Sequence, residues 1–435
     1  MKDYSIAVIG SGAIGGITAA YLSMAGYDVE LVCKHPEKAW QVRDKGLHIV
    51  GVRGERYVKM KAVADIEELT GKKDIVLIVT KAYDMPDAAK RVFYVEKLAH
   101  PDYEKTFARR PDVRLDRLEN KSGDDVAAPV LAGAHGYQIG SSRDELAIRF
   151  HADRDLLRKT QSLLIISTNG AGYDTVNVDA CTDAGVLVVN QSGGNAEAVA
   201  EHVMGMMLAL SKRIGEADRA LRRGGSGFER TAYTGNDVLG KTIGIIGIGN
   251  VGRRVAELCR GLFRMRVLAY DPYLAADEVK ARGAEKVELD ELLRSADYVS
   301  INCPLNKSSR GLMGAAQYAM MQPHAYFITT ARGDIHHETA LAEALKKKQI
   351  AGAGLDVWSK EPPPSDHPLM AFDNVLVSPH TAGITRETRA HMGRIAAAQL
   401  LDALDGKRPP RIVNPQVWPV YAARYKEVFG AAPEG

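Results

Sequence analysis

Cysteine is scarce in this chain. Four stand among 435 residues, Cys33, Cys181, Cys259 and Cys303, and no two form a CxxC pair. That spacing excludes a disulfide framework and a zinc site built on cysteine pairs, so a reducing, cytoplasmic setting is expected. Long apolar runs are missing too: none approaches the roughly 18 residues of a membrane-spanning helix. The opening MKDYSIAVIG turns straight to glycine, without the apolar stretch and cleavage site of a secretory signal. Charge of one sign is also missing. The 57 Lys+Arg and 54 Asp+Glu leave +3, which speaks against a nucleic-acid binder or a polybasic membrane anchor. With 46% hydrophobic and 26% charged residues, the composition is globular and excludes a disordered chain. At roughly 150 residues per domain, about three domains fit the length.

What is present is alternation. Short β-branched runs at 6–9, 75–80, 163–167, 186–189, 242–246, 267–270, 298–302, 325–329 and 375–377 are separated by Ala/Leu-rich amphipathic stretches. Runs this short and this apolar read as buried parallel strands, and their alternation with helices predicts an α/β fold of doubly wound, Rossmann-type sheets.

Two segments share one grammar: an apolar strand, a glycine-rich turn, then a helix. The first carries Gly10, Gly12 and Gly15; the second carries Gly247, Gly249 and Gly252, with Asn250 and Val251 inside it. Both fit GxGxxG, where glycines permit a tight turn and close approach of a pyrophosphate to a helix N-terminus. An acid about 20 residues further on binds the ribose 2′-hydroxyl in such folds. Asp271, followed by Pro272, occupies that position after the second turn and points to NAD. Lys34, with His35 beside it, occupies it after the first. A cation there suits NADP; a solvated loop lysine is the other reading.

Residues 1–84 resemble the start of a ketopantoate reductase. The resemblance rests on the first glycine turn, the strand at 29–32 and the segment running from Asp74 through Lys81 to Tyr83. It covers about half of that family's nucleotide domain; the later strands and the helical domain with the catalytic lysine have no counterpart. Lys81 matches a lysine near the ligand in that family. Three strands and two helices are expected here, an open half-sheet that would need to pack on the rest of the chain or on another chain.

From Met85 onward the chain resembles a D-2-hydroxyacid dehydrogenase. The carrying motifs occur in order: Asn169, Gly170, Ala171, Gly172 and Asp174; the run from Asn190 through Asn195 to Glu201 and His202; the second glycine turn; Asp271; Asn302, Cys303 and Pro304; Thr330, Ala331, Arg332 and Gly333; Asp356 with Glu361 and Pro362; and Ser378, His380 and Gly383. The resemblance implies two α/β domains around a cleft, with a discontinuous substrate domain (85–193, returning at 385–435), an NAD-binding domain (194–384) and a homodimer; residues 390–404 themselves read as a helix that returns the chain. It implies NAD as cofactor and a small 2-oxo or 2-hydroxy acid as partner, with glyoxylate, hydroxypyruvate and phosphohydroxypyruvate as candidates.

The reaction sets the site's needs. A 2-oxo acid accepts hydride at C2 while its carbonyl oxygen gains a proton. His380 is the candidate acid/base, since histidine exchanges protons near neutrality. Glu361 would pair with its other ring nitrogen, favour the imidazolium and fix the ring. Arg332 can fork onto carboxylate and carbonyl and stabilise developing oxyanion charge. By resemblance, Asp356 would hold the nicotinamide region, the backbone N–H groups of 169–172 would bind the substrate carboxylate, and Asn195 would touch substrate or cofactor. Gly247, Gly249, Asn250, Val251, Gly252, Asp271, Pro272, Cys303, Pro304, Thr330, Ala331, His380 and Gly383 would line the cofactor. Formate dehydrogenases share the fold but carry glutamine where Glu361 stands.

No metal is expected. His336 and His337 are adjacent, do not share a helix face and read as a surface pair. His135, Tyr137 and Gln138, near Arg143, are candidates to line the substrate pocket. His202, Met204, Met206 and Met207 are expected on a helix core between domains. Two rival readings remain open: a non-enzymatic NADH-sensing scaffold of the kind seen in the C-terminal-binding corepressors, and a working ketopantoate reductase at the N-terminus.

Overall fold

A computed structural model of the protein describes residues 4–51, 54–79, 90–141, 146–224 and 229–434. Thr80, Lys81, Tyr83, Met85 and Arg143, singled out above, lie outside the described residues. The chain divides into two units, Met1–Ala89 and Lys90–Gly435.

Among its described residues the first unit has six strands: β1 (Ser5–Ile9), β2 (Asp28–Val32), β3 (Leu47–Gly51), β4 (Gly54–Val58), β5 (Lys61–Val63) and β6 (Ile75–Ile78). That corrects the expected three. Four of them form a parallel sheet in the order β5-β2-β1-β6, and β3 pairs with β4 as an antiparallel ribbon. Polar residues interrupt the ribbon and the three-residue β5, so neither reads as an apolar run in the sequence. Helices Ala13–Met24 and Pro36–Asp44 follow β1 and β2. Ile6, Val8, Ala19, Leu31, Ala39 and Val42 form the core. Lys38 Nζ donates to Ser11 O at 2.7 Å and ties the second helix to the glycine turn.

The second unit holds two parallel sheets. One has β7 (Lys90–Val95), β8 (Val113–Leu118), β9 (Gly136–Ile139), β10 (Ile165–Thr168) and β11 (Leu187–Val189), in the order β11-β10-β9-β7-β8. Side chains alternate between faces, as a strand's period of two requires. Phe93 and Val95 enter one cluster with Tyr137 and Ile166, while Val92 and Ile165 enter another with Leu164. Leu163 and Leu164 lie before β10 and not within it, because the chain first closes a turn from Leu163 N to Thr160 O. The helix Arg386–Leu404, capped by Thr385, returns the chain to this sheet and buries Ala396, Ala397 and Leu400 against it.

The other sheet has β12 (Thr242–Ile246), β13 (Arg266–Tyr270), β14 (Glu285–Lys286), β15 (Tyr298–Ile301), β16 (Tyr326–Thr329), β17 (Gly352–Leu355) and β18 (Val375–Val377). Its order is β14-β13-β12-β15-β16-β17-β18, with every pair parallel. Both faces are covered. Phe327 packs with Leu293 and Leu341 on one side, and its neighbour Ile328 packs with Val203 and Met207 on the other. The order turns between β12 and β15, the point at which doubly wound sheets open a crevice. No helix among the described residues is long and apolar enough to cross a membrane.

Candidate active site

Most of the expected nucleotide and catalytic residues sit just beyond the carboxyl ends of the seven-stranded sheet. Gly247 follows β12, Asp271 and Pro272 follow β13, Cys303 and Pro304 come after β15, Thr330, Ala331 and Arg332 follow β16, Asp356 follows β17, and His380 comes after β18. Ligands of open α/β sheets bind in that crevice.

The glycine turn has no room for side chains where the chain folds back. Gly247 has φ +87°, and a Cβ on Gly252 would fall on Gly247 O. Gly249 differs: a Cβ there meets nothing within 4 Å. It faces open space at the start of the helix Asn250–Phe263, which no side chain caps. Unsatisfied N–H groups over an open cradle fit a pyrophosphate. Val251 is half-buried behind the turn. Asp271 accepts from Ile248 N (3.2 Å) and Tyr273 N (3.1 Å), which holds its carboxylate beside the turn. Two buried oxygens, Asn302 Oδ1 and Thr330 Oγ1, make no hydrogen bond among the described residues. Cradle, carboxylate and orphaned oxygens together fit a dinucleotide. Cys303 packs under Gly247, and burial pushes its thiol up to about 11, so it is a packing group and not a nucleophile.

The crossover between the sheets touches both halves of the site. Asn250 Nδ2 donates to Ser192 Oγ at 3.1 Å. Asn195 begins the helix Ala196–Ser211 and lies against Gly383, where a Cβ would stand 2.8 Å from Asn195 Nδ2.

His380 Nδ1 and Glu361 Oε2 are 2.7 Å apart. Glu361 Oε1 accepts from Trp358 N at 3.1 Å. Burial works to raise the Glu361 carboxyl, but the hydrogen bond and charge of His380, the Trp358 N–H and the charge of Arg332 outweigh it and hold the group below the usual range. His380 itself has φ +55°, a left-handed conformation rare for a residue with a side chain. Asp356 holds that turn. It is fully buried; Oδ1 accepts from Ser378 Oγ (2.6 Å) and Thr381 N (2.8 Å), Oδ2 from Ala382 N (2.9 Å), and its carbonyl from His380 N (2.6 Å). Ser378 therefore matters, although only its place before Pro379 and His380 hinted at it.

Arg332 reaches across to the loop after β10, where its Nε and Nη2 lie 3.3 and 3.2 Å from Asp174 Oδ2. Asp174 stood in the quoted loop motif, but nothing in the sequence said that it would meet Arg332. A Cβ on Gly172 would fall on Arg332 Nη2. The loop at 169–172 is held by its carbonyls: Gly170 O accepts from Thr168 Oγ1 (2.9 Å) and Gln191 N (3.0 Å), and Ala171 O from Asn190 Nδ2 (2.8 Å). Among the described residues, no hydrogen bond takes the N–H of Gly170, Ala171 or Gly172. Asn169 Oδ1 accepts from Gln138 Nε2 at 2.7 Å.

Three expectations need correction. Tyr137 does not line a pocket: it is wholly buried, stacked on Phe93 at 4.0 Å, with its hydroxyl donated to Phe150 O. His135 precedes β9 and so lies at the opposite end of the sheet from the 169–172 loop, against Arg91 N and Phe429. His336 and His337 are not a surface pair. His337 is exposed, but His336 is 2% exposed, packs on Phe327 and lies 3.3 Å from Tyr318 Oη. Burial pushes the His336 ring down to about 4, so it is neutral. Met204, Met206 and Met207 are core residues, whereas His202 is partly exposed and contacts Ser378. Among the described residues, no group of three or more His, Cys, Asp or Glu could hold a metal.

Residues 204–382 match the family model for the D-isomer specific 2-hydroxyacid dehydrogenase NAD binding domain, and residues 6–102 match Ketopantoate reductase PanE/ApbA. A D-3-phosphoglycerate dehydrogenase of Archaeoglobus fulgidus is 38% identical over 262 residues, 60% of this chain but only 49% of that protein's length. A glyoxylate reductase of Aeropyrum pernix is 38% identical over 270 residues, 61% of this chain and 80% of that protein. The solved glyoxylate reductase of Paecilomyes thermophila superposes with a TM-score of 0.66 at 26% identity, covering 75% of this chain and 99% of that one. The fold, the nucleotide cradle and relatives that match over most of their length lead to one conclusion: the chain belongs to the D-isomer specific 2-hydroxyacid dehydrogenase family.

Proposed function

We propose that the protein is an NAD-dependent D-2-hydroxyacid dehydrogenase that interconverts a small 2-oxo acid and its D-2-hydroxy acid. Glyoxylate, hydroxypyruvate and phosphohydroxypyruvate are the substrates to test. The observation that carries the reading is the 2.7 Å pairing of Glu361 with His380 Nδ1, beside the sheet end that presents Arg332.

The turn from Gly247 to Gly252 would hold the pyrophosphate, and Asp271 with Pro272 the adenosine ribose. Cys303, Pro304, Thr330, Ala331, Asp356 and Gly383 would line the remainder. When bound, the cofactor supplies the hydride that C2 accepts. The rest falls to the chain. The N–H groups of Gly170, Ala171 and Gly172 bind the substrate carboxylate, while Asn169 N donates to Ile139 O at 2.9 Å and Asn169 serves through its side chain, with Asn195 at the crossover. The Arg332 guanidinium polarises the carbonyl and stabilises the charge growing on its oxygen. His380 gives that oxygen a proton from Nε2, while Glu361 holds Nδ1 and balances the imidazolium. Oxidation of the hydroxy acid reverses the proton transfer.

The same reading divides the chain into a partial nucleotide-binding segment at 1–84, a substrate domain at 85–193 and 385–435, and an NAD-binding domain at 194–384. It takes the protein as a cytoplasmic homodimer. Four free cysteines, three of them buried, support the reducing setting. NADH oxidation against a panel of 2-oxo acids tests the activity. Turnover of any member that is lost in His380→Ala supports the reading; NADH binding without turnover of any member refutes it.

A further inference from the structure

We propose that His202 is a positioning residue that holds the His380 turn from the neighbouring helix, an inference that rests on the reading of His380 as acid/base. His202 lies on Ala196–Ser211, the helix that begins at the crossover residue Asn195. Its Nε2 is 3.0 Å from Ser378 Oγ. Ser378 Oγ is in turn 2.6 Å from Asp356 Oδ1.

The direction of these bonds follows from counting protons. A hydroxyl has one proton to give, and an ionised carboxylate can only accept. Ser378 therefore donates to Asp356, and at the other contact His202 must donate from Nε2. His202 thus fixes the rotor of Ser378, so that the hydroxyl proton points at the buried carboxylate and nowhere else.

Ser378 is where two arms around His380 meet. One arm runs through Asp356, which accepts from the backbone N–H groups of Thr381 and Ala382 through its carboxylate and from His380 N through its carbonyl. The other runs through Trp358: its indole Nε1 donates to Ser378 O at 3.1 Å, and its backbone N donates to Glu361 Oε1, whose partner oxygen meets His380 Nδ1. Backbone bonds fix Ser378 itself, with its N on Leu355 O at 2.9 Å. Its hydroxyl is held from two sides, by Asp356 as acceptor and by His202 as donor. A turn held at φ +55° in a residue with a side chain persists only where its surroundings over-determine it. Loss of the His202 donor leaves the Ser378 oxygen held on one side only, weakens the bond it makes to the buried carboxylate and loosens the turn.

The test uses the full chain with ring-15N histidine, reading the downfield Nδ1–H signal of His380 alongside NADH-dependent reduction of glyoxylate. In His202→Leu the His380 signal should broaden or vanish, and kcat should fall on the order of tenfold to a hundredfold, the scale of a slightly misplaced catalytic group, with NADH affinity falling far less than kcat. His202→Gln keeps an N–H donor at similar reach and should restore both. Ser378→Ala should match His202→Leu, and the double variant should be no worse than either, because both act through one hydroxyl. An unchanged His380 signal and kcat in His202→Leu would overturn the proposal, as would additive losses in the double variant. If the unaltered protein reduces no 2-oxo acid while His202→Leu still loses the ring signal, positioning stands and the catalytic reading falls.

Discussion

The guanidinium of Arg332 is braced along one edge by the carboxylate of Asp174. Nε and Nη2 both reach Oδ2, at 3.3 and 3.2 Å, and Nη1 donates to Ala331 O at 2.7 Å. Of the five N–H groups of an arginine, these bonds engage three and leave one on each terminal nitrogen. The pair spans the two sheets of the second unit, joining the loop after β10 to the end of β16. An arginine so braced offers a substrate a fork already set in direction, which lowers the ordering cost of binding.

Arg332→Lys keeps the charge and loses the fork. It should lower kcat/KM roughly 10²-fold, the scale of one lost oxyanion donor, and Asp174→Asn should cost less because an acceptor remains. Steady-state kinetics with the best 2-oxo acid decide the matter, and unchanged values for Arg332→Lys would remove that residue from the site.

His380→Ala should reduce turnover by roughly 10²- to 10⁴-fold, the usual range for loss of a general acid–base. NADH binding, followed by fluorescence, should survive. A kcat near that of the parent would contradict the assignment.

Glu361 carries a pH signature. Its carboxyl sits below the ordinary range when folded, so its ionisation adds stability above about pH 4.3, the ordinary glutamate value. That contribution is lost as the pH falls through the depressed folded value. The gap in thermal midpoint between the parent and Glu361→Gln should therefore narrow on acidification below about pH 4. A gap that stays constant there would mean that the pairing with His380 does not depress Glu361.

Asp271→Ala should erode the preference for NADH over NADPH, since a carboxylate beside the ribose accepts from a 2′-hydroxyl and repels a 2′-phosphate. The variant also loses the acceptor for Ile248 N and Tyr273 N, so affinity for both nucleotides should drop. An unaltered NADH:NADPH ratio of kcat/KM would show that Asp271 does not read the ribose.

The C-terminal return is pinned by Asp405, whose oxygens meet Arg110 Nη2 and Nη1 at 2.7 and 2.8 Å and Lys90 Nζ at 2.7 Å. The Arg110 hydrogen bonds, opposed by burial and aided by Lys90, lower its pKa to about 2. Because the folded value is depressed, the stability it adds is present above about pH 3.9, the ordinary aspartate value, and disappears as the pH falls through about 2. Allowing for partial exposure, Asp405→Asn should cost on the order of 1 kcal/mol at pH 7. Calorimetry should find a lower midpoint for the variant at pH 7 and a closing gap toward pH 2; equal midpoints at pH 7 would show that the cluster adds nothing.

Much of the fold could be read from the chain because buried parallel strands are locally encoded. The strand Thr242–Ile246 and the strand Val375–Val377 were delimited to the residue, since each is an apolar run bounded by turn residues. The first unit was harder. Its ribbon of Leu47–Gly51 and Gly54–Val58 mixes His48, Glu55 and Arg56 into the strands, and half-exposed strands lose the apolar signature. His336 misled for a related reason: a histidine carries no mark of burial, and only the packing of Phe327 and Tyr318 around it makes it a neutral core residue.

Sequence alone determined the α/β class, the two glycine turns and Asp271 after its strand, because each follows from residue type at short range; the candidates Arg332, Glu361 and His380 came from the ordered set of motifs that resembles the dehydrogenase family. Tertiary structure alone decided which groups meet. Glu361 and His380 lie 19 positions apart and touch; Arg332 and Asp174 lie 158 apart and touch; His202 and Ser378 lie 176 apart and share a hydrogen bond. Local propensity cannot encode such pairs. They arise when parallel strands from distant parts of the chain align their carboxyl ends, and the low dielectric and fixed geometry of that shared edge then set how each group is charged and where it points.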